Sequence, residues 1–202
     1  MTADRLDTVI RMIDSANACD PRSVDDGGTE RPAELVYGER MSRALEGFCP
    51  HASEHLRIAT RAQHIERWTS PRGSYPEGRV GYLKWRKDLK DFHARRAAEL
   101  MREAGYDGDD IDRVASLIRK ERLKLDAEAQ TLEDVACLVF LEQYAAEFIA
   151  DHADEKVVDI LAKTARKMSA DGLAAAARLP MQDRLVRLLG EALADRGAAP
   201  ES

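Results

Sequence analysis

Apolar positions recur at helical spacing along nearly the whole chain. Leu6, Val9, Ile10 and Ile13 predict a first helix over about 4–18. Leu35, Met41, Leu45 and Phe48 predict a second, which Pro50 stops. A third starts near Ser53 and carries Leu56, Ile58, Ala59 and Ala62 to Trp68, so that His64 and Arg67 share a face at i,i+3. A long helix follows over about 78–104 and ends at Gly105, a residue type suited to the position after a helix. Asp107 to Asp110 open the next, with Ile111, Val114, Leu117, Ile118 and Leu123 on one face. A helix over about 127–149 holds the most apolar run, VACLVFL, and two more are expected over 154–168 and 181–194, with a short helix between them.

Between these lie two clear breaks, CDPRSVDDGGTERP and SPRGSYPEGR. No segment alternates with period two, and no internal repeat is present. The pattern predicts an all-α fold, a bundle of about eight helices in a single domain over 1–202, with a frayed tail over about 197–202.

Composition agrees with helices on short connections: Gly (12) and Pro (7) are scarce for a chain of 202 residues. Hydrophobic residues at 44% exclude wholesale disorder. The seven-residue run over 135–141 falls well short of the roughly 18–20 apolar residues of a membrane span. The first residues lack a basic segment followed by an apolar one, so no secretory signal is expected. Cys19, Cys49 and Cys137 show no C-x-x-C spacing, which fits a reducing, cytoplasmic setting.

The net charge of -6 counts against a general nucleic-acid coat protein, but the charge is uneven. Residues 57–102 hold 12 cations and 5 acids, or +7, against -13 elsewhere. The same window holds Trp68, Tyr75, Tyr82, Trp85 and Phe92 together with His64 and His93. Guanidinium forks match phosphate oxygens, and aromatic rings can stack a base or an Arg plane. The segment therefore reads either as an anion site or as a solvated helix face with Arg–carboxylate pairs. Arg72 and Tyr75 sit in the Pro- and Gly-rich loop between the helices bearing His64 and Arg86. Asp134 enters the apolar run, where a carboxylate needs a partner such as His64, an Arg or a metal.

Two resemblances add to this. The runs RAQHIERW, PRGSYPEGRVGYLKWRKDLKDFHA, QTLEDVACLVFLE and KTARKMS resemble a bacterial and fungal family defined as a domain of unknown function, over roughly 6–189. More remotely, the pattern resembles the HD superfamily of metal-dependent phosphohydrolases. His64-x-x-Arg67 is similar to that superfamily's first His and following Arg, His93 to its auxiliary His, and EDVACL to its final Asp motif, with Asp134 as metal ligand. At the His-Asp doublet the chain reads YLKWRKD, with Trp85-Arg86 in its place, and Lys120 stands where many members carry a later His.

The resemblance thus implies an HD-domain-like helical bundle with an HD-like pocket whose metal is replaced by fixed positive charge. The leading expectation is a phosphate- or nucleotide-containing small molecule. Arg67, Arg72, Arg86 and Lys120 would hold its anion, Tyr82 or Trp85 would stack on it, and His93 would line the site. His64, oriented by Asp134, would act as general acid or base, with hydrolysis of the ligand as one outcome. Two other readings stay open: a phosphohydrolase with a divalent metal on His64, His93 and Asp134, and a non-enzymatic RNA- or partner-binding module using the basic face 57–102.

Overall fold

The computed structural model describes residues 4–197, and the described chain is mostly helical. It falls into two compact units, the first reaching Leu132 and the second beginning at Glu133.

In the first unit, α1 (Arg5–Asn17) is capped by the Asp4 carboxylate and buries Val9, Ile13 and Asn17 along one face. A short hairpin follows, β1 (Ser23–Asp25) antiparallel to β2 (Glu30–Pro32), with Val24 opposite Arg31. This corrects the expected plain loop: strands of three residues are too short for alternation to register, and the Gly27-Gly28 tip supplies their reversal. Next, α2 (Ala33–Phe48) buries Glu34, Gly38, Met41 and Leu45 at i, i+4, i+7 and i+11.

The third helix, α3 (Glu54–Arg61), is shorter than its apolar pattern implies. It gives way to turns over 62–66, so His64 and Arg67 do not share a helical face. The reason is tertiary. Asn17 Oδ1 accepts from the Glu66 amide at 2.9 Å, and the Ile65 carbonyl is taken by His93. Glu66 itself adopts the left-handed region (φ 50°).

The basic helix α4 (Gly78–Glu103) buries Leu89, His93, Ala94, Ala97, Leu100 and Met101. His93 therefore sits on its core stripe. The chain leaves α4 through Gly105 at φ +87° and enters α5 (Gly108–Arg119), which Asp107 caps. Here α5 stops at Lys120, which is left-handed at φ 58°, so Leu123 is not on its apolar face. Helix α6 (Ala127–Val139) starts at Asp126, whose Oδ1 accepts from the Glu128 and Ala129 amides.

In the second unit the expected continuous helix is interrupted. A π turn over Phe140–Tyr144 separates α6 from α7 (Ala145–Ala150), with no Gly or Pro to announce it. Then come α8 (Asp154–Ala165), α9 (Ala170–Ala176) and α10 (Asp183–Gly197). Val157 and Leu161 of α8 and Leu185, Leu188 and Ala192 of α10 are buried there. Asp154 ties the α8 start to Arg184 and Arg187 of α10. Of the expected tail, 198–202 lie outside the described residues. Among the described residues no helix is long and apolar enough to cross a membrane.

Candidate functional site

The first unit gathers several of the predicted residues around two imidazoles. The His64 and His93 ring centroids are 6.0 Å apart. His93 is 3% exposed, and its Nδ1 lies 2.7 Å from the Ile65 carbonyl oxygen. A carbonyl only accepts, so Nδ1 carries the proton and Nε2 presents its lone pair. That Nε2 is buried with no hydrogen-bond partner among the described residues. Burial, reinforced by His64 and Arg67, pulls the His93 pKa down to about 3 against the single favourable carbonyl.

His64 is clamped from the other side. Tyr37 of α2 stacks on its ring at 4.1 Å and 12°. Glu34 Oε2 stands 3.6 Å from its Nδ1. Burial, helped by the charges of Arg67 and Lys120, outweighs Glu34 and pulls His64 down to about 4. Both rings are therefore neutral at pH 7.

Glu34 is itself buried and accepts from Arg22 at 2.7 Å. Its burial raises the pKa, but His64, Arg22 and Arg67 together hold it below the usual carboxylate range. With His64 neutral, the cations Arg22 and Arg67 are the charges that keep Glu34 ionised. Asp20 completes the support: its carboxylate takes Arg22 through both oxygens and accepts from the Glu34 amide at 3.0 Å. The hairpin and the α2 start thus place one carboxylate against His64.

Arg67 differs from its neighbours. Arg61 is bound to Asp14, and Arg96 to Glu66 and Glu99. Lys84 is bound to Asp88. These pairs realise part of the solvated-face expectation. Arg67 is half-buried, its guanidinium lies 5.2 Å over the Trp85 ring, and no ion pair or hydrogen bond to it is found among the described residues. Trp85 is fixed by donating Nε1–H to the Ser70 carbonyl at 2.9 Å. The aromatic row continues outward: Tyr82 lies 6.0 Å from Trp85, and Arg86 sits 5.9 Å over Tyr82 while donating to its hydroxyl.

The predicted residues therefore divide. His64, His93, Arg67 and Trp85 are joined by contact or by charge, Lys120 acts on His64, and Tyr82 and Arg86 extend the row at the surface. Arg72 braces its own loop, donating to the Tyr75 carbonyl at 3.0 Å. In the second unit the buried Asp134 accepts from the Ser169 amide at 2.8 Å and the Ser169 hydroxyl at 2.6 Å, where Ser169 caps α9. Among the described residues no group of three His, Cys, Asp or Glu comes together to hold a metal ion. The residues present do not fit the metal that the HD resemblance implies.

Sequence reasoning missed Glu34, Tyr37 and Arg22. A signal existed for the first: Glu34 continues the stripe of Gly38, Met41 and Leu45, and a carboxylate on a buried stripe needs partners. A separate cavity of 210 Å³ lies among α1, α2 and α3, lined by Leu6, Ile10, Leu45, Cys49 and Arg61 among others. None of the predicted site residues lines it.

Residues 7–189 match the model of a family described as a domain of unknown function, DUF4202. No curated protein and no solved structure matches the chain.

Proposed function

The chain belongs to the DUF4202 family, and we propose that its first unit binds a phosphate- or nucleotide-containing small molecule in an HD-like helical pocket that works without the metal. The observation that carries this is Arg67. A half-buried guanidinium that acts on Glu34 only through its charge, with no ion pair or hydrogen bond to it among the described residues, keeps its fork of donors available. Stacking on Trp85 orients the fork at little entropic cost. Around it, two neutral imidazoles add no competing positive charge of their own, and Lys120 adds to the local potential. An oxyanion there would take bidentate bonds from Arg67.

His64 is the group suited to proton transfer. Glu34 faces its Nδ1 side, which leaves Nε2 as the base, the Glu34 carboxylate taking the orienting role first expected of Asp134. Tyr82 and Arg86 would contact the part of a nucleotide that extends from the anion.

The test is a thermal-shift panel of inorganic phosphate, nucleotides and sugar phosphates against the wild type and Arg67→Ala. At least one compound should raise Tm in a concentration-dependent way, and Arg67→Ala should abolish the rise. A panel that moves neither protein, or a shift that persists in Arg67→Ala, removes the support for the site.

A further inference from the structure

The buried face of the cluster specifies more than negative charge. His93 Nδ1 is committed to the Ile65 carbonyl at 2.7 Å, so the ring can offer only a lone pair at Nε2. That nitrogen is enclosed, has no partner among the described residues, and belongs to a side chain that is 3% exposed. The Ile65 carbonyl and two neighbouring rings hold the imidazole in this state. Phe92 packs edge-on at 5.5 Å and His64 lies at 6.0 Å. A buried acceptor without a partner is costly, and only a donor satisfies it.

We infer that the anion held at Arg67 is one that still carries a P–OH proton, a hydrogen phosphate or the monoanion of a phosphate monoester, with that proton donated to His93 Nε2. The inference rests on the anion site proposed above and narrows its ligand. A fully deprotonated oxyanion would bring one more acceptor to a nitrogen that already lacks a donor. Arg67 selects for charge, while His93 selects for the proton. The charged and titratable groups facing the two rings are Arg67, Glu34, Lys120 and the Tyr37 phenol, with Arg22 behind Glu34. Both rings titrate near or below pH 4, so neither changes state between pH 6 and 7.5.

Sulfate and inorganic phosphate separate the two requirements, because at pH 7 sulfate has no proton to donate and phosphate has. Isothermal titration of the wild type with each anion should show phosphate binding about tenfold or more tightly. His93→Asn keeps a donor for the Ile65 carbonyl and removes the ring acceptor, and in it the preference should vanish. Equal binding of both anions, weakened together by Arg67→Ala, overturns the inference and keeps the anion site. Binding of neither anion, or binding that Arg67→Ala leaves unchanged, overturns the site itself.

Should His93→Asn fail to fold, the wild type alone decides with O-phosphoserine, whose second pKa is about 6. Affinity that falls from pH 6 to 7.5, approaching tenfold per unit, supports proton donation to His93. Affinity that rises with the growing negative charge overturns it.

Discussion

The Ile65 carbonyl oxygen stands 2.7 Å from Nδ1 of His93 and so fixes which nitrogen of that ring bears the proton. The same bond pins the turns that follow α3 against α4, because a carbonyl turned towards α4 is not available to an intrahelical amide. One contact between a turn and a helix thus sets both the local backbone and the chemistry of the cluster.

Acid stability should expose the two neutral rings. In the unfolded chain His64 and His93 take up protons near pH 6.5, whereas folding holds them to about 4 and about 3. The unfolded state then binds more protons below pH 6.5, so stability falls as pH drops from 6.5 towards 4. Each ring contributes up to about 1.4 kcal/mol per pH unit. Urea unfolding between pH 7 and 5 should show this slope, and His93→Asn should make it shallower. A slope that is flat in the wild type contradicts the neutral pair.

Glu34→Gln should cost about 1–3 kcal/mol of stability, because it removes a buried charge that accepts from Arg22 at 2.7 Å and faces His64. Denaturant titration at neutral pH measures it. A change within about 0.5 kcal/mol would place Glu34 with ordinary surface residues.

Arg113 grips the start of α6. Its two terminal nitrogens reach Asp126 and Glu128, and the Arg113 hydrogen bond is the main cause holding Asp126 at about 2, below its ordinary 3.8. A depressed carboxylate contributes stability that is present above pH 3.8 and is lost as pH falls through 2. Asp126→Asn should therefore lower Tm at neutral pH and reduce the further loss between pH 4 and 2, as read by circular dichroism melts. An unchanged neutral Tm would argue that the pair adds nothing.

Gly172→Ala should disturb the second unit. A Cβ at Gly172 would lie 2.6 Å from Asp134 Oδ1, the oxygen that accepts from the Ser169 amide. Asp134 must then shift and give up part of the α9 cap, at about 1–3 kcal/mol. Hydrogen exchange localised to α9 would report it. Wild-type protection over 169–176 in the variant would show that the carboxylate relaxes freely.

Much of this protein was already determined by its sequence. Period-3.6 apolar spacing is a local property, so it placed the helices, the Asp107 cap and the Gly105 stop closely, and it placed His93 and Arg67 among basic and aromatic neighbours. What it missed depends on partners far along the chain. Asn17 and His93 hold the turns after α3 by taking the backbone groups of Glu66 and Ile65. Glu34 faces Nδ1 of His64, because α2 and the hairpin bring it there. Arg61, Lys84 and Arg96 of the segment find carboxylates, whereas Arg67 has no ion pair among the described residues. Only tertiary structure could decide these points, since charge counts along a chain are silent about which charges meet once distant elements pack.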